Sequence, residues 1–315
     1  MSTLTVTDLV VEFGGARSRK TVRAVDHVSF SVRPGEVVGL VGESGCGKSS
    51  LARSIIGLER ATSGSIVWGD TDVTNARGRT LRRYRREVQY VFQDPYASLS
   101  PRLTVGQTLE EALSVVGHPR RTRAARASEL LHLVGLPKSA LQRGPSALSG
   151  GQRQRVAIAR ALAVEPRFLI CDEPVSALDV SVRAQVMNLL MDLQEELNLG
   201  YLFIAHDLGL VRRVAHRTMV MYLGRIVESG PSHEVYGQAS HPYTECLLDA
   251  IPSVDPREQR SRGFTVLQGE LPSPASPPPG CRFHTRCPHA QPQCSERVPE
   301  VLTGEPVHQS ACYVR

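Results

Sequence analysis

The feature that most constrains this chain is the glycine-rich stretch GESGCGKSS, which directly follows the apolar run VVGLV at residues 37–41. Its spacing, Gly42-x4-Gly47-Lys48-Ser49, fits the P-loop pattern, in which backbone N–H groups surround a phosphate group. In that pattern the lysine reaches the outer phosphate oxygens and the next hydroxyl binds Mg²⁺. The candidate phosphate-binding residues are Gly42, Glu43, Ser44, Gly45, Cys46, Gly47, Lys48, Ser49 and Ser50.

Two adjacent carboxylates end a second apolar run, RFLICDEP at residues 167–174. Asp172 is suited to hold the Mg²⁺ shell, and Glu173 is suited to orient and polarise an attacking water. A solvated strand end is the alternative interpretation if this segment is taken alone.

A third segment, LSGGQRQRVAIARAL at residues 148–162, predicts an amphipathic helix that begins with small residues. The free N–H groups of such a helix N-terminus form a second anion site. Two phosphate-binding sites in one P-loop chain suggest a nucleotide that is shared between subunits.

Taken together, these segments resemble the ATP-binding subunits of ABC transporters, and the resemblance covers residues 3 to about 250. It implies ATP and Mg²⁺ as ligands, with the Mg²⁺ held by Ser49, Gln93 and Asp172. It implies catalytic roles for Glu173, for the Q-loop residue Gln93 and for His206 in IAHD, which contacts the γ-phosphate. The D-loop residue is Asp179 in SALD. The signature residues that face the ATP of a partner cassette are Ser149, Gly150, Gly151 and Gln152.

In this family an aromatic residue stacks on the adenine ring, and Phe13 is the candidate for this role here. The stretch GGARSRKT separates Phe13 from the next predicted strand, and a core phenylalanine is the alternative interpretation.

Within that family the chain is similar to oligopeptide and dipeptide permease subunits, through FQDPYASLSPR, LDVSVRAQVMNLL, VMYLGRIVESG and HPYTECLLDAIP. This resemblance implies an ATPase that powers peptide import. It implies three kinds of partner: a second cassette, either identical or a paralogue, in a head-to-tail dimer; two transmembrane permease subunits; and, indirectly, an extracytoplasmic binding protein. The alternatives are a soluble ABC ATPase, an importer of nickel or another small solute, and a metal-binding interaction module whose ATP site is idle.

Strands that alternate with helices from residue 150 to 230 predict a parallel sheet covered on both faces. The fold class expected from the pattern and the resemblance is α/β, a P-loop NTPase of the ABC ATPase type. Its parts are a RecA-like core, an antiparallel β region near the N-terminus and a helical insertion at about 95–150. The expected domains are an ABC ATP-binding domain over 1–255 and a C-terminal extension over 256–315. The segment 269–280 is too rich in proline for regular structure.

Composition and charge limit the kinds of partner and the cellular location that are expected for this chain. The formal net charge is +6, and six arginines crowd residues 77–86. A solvated helix is favoured there over a nucleic-acid surface, so no nucleic acid is expected. No uncharged apolar run approaches the roughly 18 residues that span a bilayer. The expected location is the cytoplasmic face of the membrane, as a peripheral subunit.

The C-terminal extension contains Cys281, Cys287, Cys294 and Cys312, with separations of 6, 7 and 18 that match no common zinc-finger spacing. Three histidines, at 284, 289 and 308, could compete as ligands. Free thiols, a zinc site and an iron–sulfur cluster are the three interpretations. The resemblance of GCRFHTRCP and HQSAC to the peptide-permease subfamily favours a [4Fe–4S] cluster over Zn²⁺.

Overall fold

The structure is a computed structural model that describes residues 2–14, 21–251, 269–300 and 307–314. The strands are β1 Leu4–Phe13, β2 Val22–Val32, β3 Val37–Val41, β4 Ser63–Trp68, β5 Thr71–Asp72, β6 Val88–Val91, β7 Phe168–Asp172, β8 Gly200–Ala205, β9 Arg217–Tyr222, β10 Arg225–Pro231 and β11 Gln309–Ser310. The α-helices are α1 Lys48–Ile55, α2 Gly78–Glu87, α3 Pro95–Ser98, α4 Val105–Val115, α5 Arg120–Leu133, α6 Gly150–Leu162, α7 Val180–Glu196, α8 Leu208–Val214, α9 Ser232–Gly237, α10 Pro242–Asp249 and α11 Pro292–Glu296.

The chain divides into two units, and the first holds the described parts of Met1–Arg33, Val37–Ala76 and Ala205–Arg315. One sheet of this unit has the order β2-β1-β4-β5, and its strands are antiparallel. Along β2, Val28, Phe30 and Val32 are buried and the residues between them are partly exposed. This alternation leaves one apolar face for the core.

A pair of fully buried strands, β3 and β9, positions the glycine-rich loop of the first unit. They run parallel, with Leu40 opposite Met219, and β10 continues antiparallel from β9. Strands buried on both faces are continuously apolar, as VVGLV is. Helix α8 lies so close to β3 that a Cβ at Gly39 would be 2.2 Å from Val211 Cγ1.

The second unit holds Pro34–Glu36 and Arg77–Ile204. Its strands β6, β7 and β8 pair in parallel, with Val91 opposite Cys171 and Asp172 opposite Ile204. Residues 95–150 contain α-helices and two 3₁₀ turns, and no strand. The 3₁₀ turns are Lys138–Gln142 and Pro145–Ala147. The helical insertion predicted there is therefore confirmed as helical.

The apolar runs at 37–41 and 167–174 form β3 and β7, and the segment 148–162 forms α6, each within a few residues of these bounds. The arginine-rich segment is the helix α2, in which Tyr84 is buried, as expected of a helix with one solvated face. The predicted helical insertion contains two longer helices, α4 and α5, and the chain turns between them at Gly117, whose φ is +82°. Strand β10 is missing from the sequence-based prediction.

The C-terminal part is described over residues 269–300 and 307–314. No helix or strand lies within 269–280, as the proline content predicts. The domain boundary expected between residues 255 and 256 lies outside the described residues.

Candidate active site

The glycine-rich loop of the first unit leaves β3 and enters α1. Gly42 and Gly47 have φ of +154° and +112°, and a Cβ on either would lie 2.2 Å and 2.1 Å from the carbonyl oxygens of Met221 and Ala24. Only glycine fits both positions, since each combines a positive φ with close backbone contact. Helix α1 has no acidic side chain in its first turn, which suits an anion at its N-terminus.

Lys48, the first residue of α1, is 5% exposed. Its ammonium donates hydrogen bonds to the carbonyl oxygens of Gly42, at 2.7 Å, and Glu43, at 3.0 Å. The Cys46 thiol lies 3.7 Å from the ammonium, and burial raises the pKa of this thiol. The lysine is thus held across the loop by uncharged acceptors, and negatively charged phosphate oxygens are stronger ones.

Two of the predicted catalytic residues are brought together in the second unit. Glu173 follows β7, and its Oε2 accepts a hydrogen bond from Gln93 Nε2 at 3.2 Å. The preceding Asp172 accepts one from the hydroxyl of Tyr90 at 2.5 Å. Sequence reasoning missed Tyr90; the apolar residues around it in REVQYVF were the signal of a strand, and β6 lies beside β7 in the structure.

The signature segment begins α6 in the same unit. The Ser149 hydroxyl accepts from the Gln152 N–H at 3.3 Å, and the Gln152 side chain accepts from the Ser149 N–H at 3.1 Å, which is a capping box. A Cβ at Gly151 would lie 2.2 Å from Val182 Cγ1, so a small residue is required where α6 meets α7.

Arg153 is a residue of this segment that sequence reasoning did not single out. It is 6% exposed, its Nε donates to the Pro145 carbonyl oxygen at 2.7 Å, and its guanidinium lies 3.5 Å from the centroid of the Tyr96 ring. Tyr96 belongs to α3, two residues after Asp94 in the predicted Q-loop. Arg153 therefore connects the signature helix to the Q-loop segment through a cation–π contact.

The remaining predicted residues lie at the ends of elements. Asp179 and Val180 at the start of α7 are exposed, and Val180 is 80% exposed. His206 is exposed after β8 and belongs to the first unit, as does Phe13, which is 40% exposed at the end of β1. The P-loop also belongs to the first unit, and Gln93, Asp172, Glu173 and the signature belong to the second.

The four cysteines of the C-terminal part lie in one neighbourhood, and the N–H of Cys281 donates to the carbonyl oxygen of Cys294 at 2.7 Å. Burial raises the pKa of the Cys281 and Cys287 thiols. Within the described ranges, no group of three or more His, Cys, Asp or Glu side chains is arranged to hold a metal ion. The cysteines as placed do not fit the predicted [4Fe–4S] cluster or its zinc alternative.

Among the described residues, no helix combines the length and the apolar character that crossing a membrane requires.

Two family matches cover much of the chain. Residues 25–176 match the family described as ABC transporter, and residues 227–294 match the one described as oligopeptide/dipeptide transporter, C-terminal region.

Individual relatives extend the similarity over nearly the whole chain. The oligopeptide transport ATP-binding protein AppF of Bacillus subtilis is 50% identical over 295 residues, which are 93% of this chain and 90% of that protein. The corresponding protein OppF of Salmonella typhimurium is 48% identical over 296 residues, 93% of this chain and 88% of that protein. Among solved structures, a dimeric ATP-binding cassette in a post-hydrolysis state, bound to ADP and Pi, matches with a TM-score of 0.64 and 29% identity, over 73% of this chain and 98% of that one.

Proposed function

The chain belongs to the ATP-binding proteins of the ABC transporter family, in the oligopeptide and dipeptide branch, and from this premise we propose that it hydrolyses ATP to power peptide import through a membrane permease. The observation that carries the hydrolytic part is the pair formed by Glu173 and Gln93, whose side chains are hydrogen-bonded at 3.2 Å. A carboxylate held beside an amide can accept a hydrogen bond from water and orient it.

The proposed mechanism is an in-line attack of water on the γ-phosphate, which breaks the bond between its phosphorus and the bridging oxygen and releases ADP and inorganic phosphate. Lys48 binds the outer phosphate oxygens in place of its two carbonyl partners, and Glu173 orients and polarises the water. Ser49, Gln93 and Asp172 are the proposed ligands of Mg²⁺, which when bound neutralises charge on the phosphate oxygens. Tyr90 fixes the Asp172 carboxylate by its hydrogen bond.

Three further assignments extend the proposal. His206 contacts the γ-phosphate, Phe13 stacks on the adenine ring, and Asp179 belongs to the contact with a second cassette. The 40% exposure of Phe13 supports a stacking role, because a core phenylalanine would be fully covered.

The proposed partners are a second cassette, either identical or a paralogue, two permease subunits and, through them, an extracytoplasmic binding protein. The exposure of Ser149, Asp179 and Val180, all in the second unit, supports a cassette contact on that unit. The proposed location is the cytoplasmic face of the membrane, which follows from the permease partners.

Reconstitution into vesicles with its permease subunits tests this function. ATP-dependent uptake of labelled peptide is the expected result, and Lys48→Ala should abolish it while lowering ATP affinity at least about tenfold, because the phosphates lose a charged donor. The matched control is Lys138→Ala, which removes an exposed lysine and should leave uptake unchanged. Uptake of nickel in place of peptide, or failure to co-purify with permease subunits, would contradict the proposal.

A metal cluster held by Cys281, Cys287, Cys294 and Cys312 is proposed as a separate feature. Its support is the resemblance of the flanking sequence to the peptide-permease subfamily alone, since the described cysteines as placed form no metal-binding group; no step of the ATPase mechanism depends on it. Protein purified without oxygen should be brown and contain iron, and Cys287→Ser should remove the colour. Colourless protein with stoichiometric zinc would instead establish a zinc site, and metal-free protein would refute both.

A further inference from the structure

We propose that Arg286, in the C-terminal part of the chain, is a positioning residue of the phosphate-binding loop and sets its affinity for ATP by neutralising and holding Glu43. The proposal rests on the ATP-binding function proposed above. Arg286 lies within GCRFHTRCP, the segment whose cysteines drew attention above, but no role follows from that sequence for the arginine itself.

Arg286 and Glu43 form a two-point ion pair. Arg286 NH1 donates to Glu43 Oε2 at 2.8 Å, and NH2 donates to Oε1 at 3.1 Å. The arginine side chain is 6% exposed and that of the glutamate is 26% exposed. The hydrogen bonds to Glu43 are the main reason that the pKa of Arg286 is raised above its ordinary value. Because this pair is mostly covered and planar groups meet at two points, its geometry is fixed more firmly than that of an exposed ion pair.

The backbone of Glu43 makes two further hydrogen bonds that hold the glycine-rich loop. Its backbone N–H donates to the hydroxyl of Tyr243 at 2.9 Å, and its carbonyl oxygen accepts from Lys48 Nζ at 3.0 Å. A shift of Glu43 therefore moves an anchor of the lysine that is proposed to bind the phosphates. Arg286 acts on Lys48 through this one intervening residue.

The segment that carries Arg286 is itself firmly docked within the first unit. Phe283 is 1% exposed, and its ring centroid lies 5.4 Å from that of Tyr222 and 5.3 Å from that of Tyr243. Arg282 donates to the carboxylate of Asp26, which is fully buried, and to the carbonyl oxygen of Leu223. An aromatic anchor between two arginines thus presents Arg286 to the loop at a defined place.

Charge explains why the loop needs this arginine. A loop that binds a polyphosphate carries a carboxylate at Glu43, and an uncompensated negative charge there would repel the ligand. Removal of Arg286 alone leaves the Glu43 carboxylate partly covered and without this cation. The free-energy cost of that unpaired charge is larger than the stabilisation that the ion pair itself contributes. Removal of both charges takes away the repulsion as well as the attraction.

The test measures binding of Mg-ATP to the purified full chain by calorimetry. Arg286→Gln should raise the Kd for ATP about tenfold, Arg286→Lys should have a smaller effect because one point of contact remains, and the double variant Arg286→Gln/Glu43→Gln should recover to within about threefold of the wild type. The matched control is Arg297→Gln, which removes an exposed arginine of the same C-terminal part and should bind like the wild type.

Each other outcome overturns the proposal in a recognisable way. Wild-type affinity in Arg286→Gln would show that the ion pair does not affect the phosphate site. A double variant as weak as Arg286→Gln would show that Arg286 supports the packing of the C-terminal part and does not act through the Glu43 charge. Absence of ATP binding by the wild-type chain would refute the proposed function instead, so the two failures are distinguishable.

Discussion

Glu173 combines a reactive position with an unusual backbone. Its φ of +47° lies in the left-handed region, which costs a non-glycine residue roughly 1 kcal/mol or more. The conformation is held from both sides, since its N–H donates to the Ile204 carbonyl oxygen at 3.0 Å and the Ser176 N–H and hydroxyl donate to its own carbonyl oxygen. The backbone that directs this carboxylate beside Gln93 is thus fixed by main-chain contacts that a change of side chain leaves in place.

Replacing Glu173 with Gln therefore removes the charge and keeps the position. ATP binding should stay within about twofold of the wild type, whereas the rate of hydrolysis should fall by at least about 10²-fold, because the attacking water loses its proton acceptor. Single-turnover hydrolysis in the assembled transporter measures this.

The control for that experiment is Glu165→Gln, in which the lost carboxylate is an exposed one paired with Arg126. Such a surface pair contributes little, and hydrolysis should be unchanged. Wild-type turnover in Glu173→Gln would show that another group activates the water.

At the scale of elements, the start of α10 depends on an uncharged histidine. His241 precedes the helix, and its Nδ1 accepts a hydrogen bond from the N–H of Tyr243 at 3.1 Å. The ring is buried beside Phe283, at 5.8 Å between centroids. Burial lowers the pKa of His241 to about 4, so the folded protein keeps the ring neutral, as an acceptor must be.

This shift predicts how stability depends on pH. The unfolded chain binds a proton at His241 near pH 6.5 and the folded chain only near pH 4, so stability is complete above the first value and is lost as the pH falls toward the second. The loss amounts to about 3 kcal/mol. In His241→Asn, which retains a capping acceptor, the drop in unfolding free energy between pH 7 and pH 4.5 should be smaller by about 2 kcal/mol. Urea unfolding at both pH values measures it, and equal drops in the two proteins would contradict the shift.

Strands and helices whose buried residues are all apolar could be predicted from the sequence. Those that depend on buried polar residues could not. Runs such as VVGLV and FLICD gave β3 and β7 with nearly correct bounds. Strand β10 contains Glu228, which is fully buried because its carboxylate accepts from the backbone N–H groups of Ser240 and His241 and contacts His308. A polar residue whose partners lie elsewhere in the chain carries no local signal of a strand.

At the scale of the whole molecule, the exposed apolar residue Val180 marks the surface proposed to contact a second cassette. It is 80% exposed at the start of α7, directly after the D-loop residue Asp179. A single exposed valine is common on protein surfaces. Its place beside Asp179, which is proposed to contact a second cassette, is what makes it informative.

A charge at this position should weaken the pairing of cassettes. In the Glu173→Gln background, ATP should produce a dimer, and the further change Val180→Asp should weaken that dimer at least about tenfold, because a carboxylate would have to be buried in the contact. Light scattering with and without ATP measures the dimer. Val298→Asp, at a valine that is 52% exposed in the C-terminal part, serves as the control. A dimer unaffected by Val180→Asp would place the contact elsewhere.

The nucleotide motifs could be found from sequence because each is a short contiguous string whose chemistry needs that spacing. The contact of Arg286 with Glu43 could not, because the two residues are 243 positions apart and nothing in either segment indicates that they meet. The role of the C-terminal part beside the loop therefore became visible only in the folded chain.

That separation has a consequence for how the protein is made. Translation begins at the N-terminus, so the ribosome finishes the glycine-rich loop long before it reaches Arg286. A nascent chain carries a loop whose Glu43 has not yet met its arginine, so under the proposal above the loop would reach its full affinity for ATP only after the segment that contains Arg286 has been synthesised and docked. A chain released before residue 286 would then bind ATP more weakly than one that contains it.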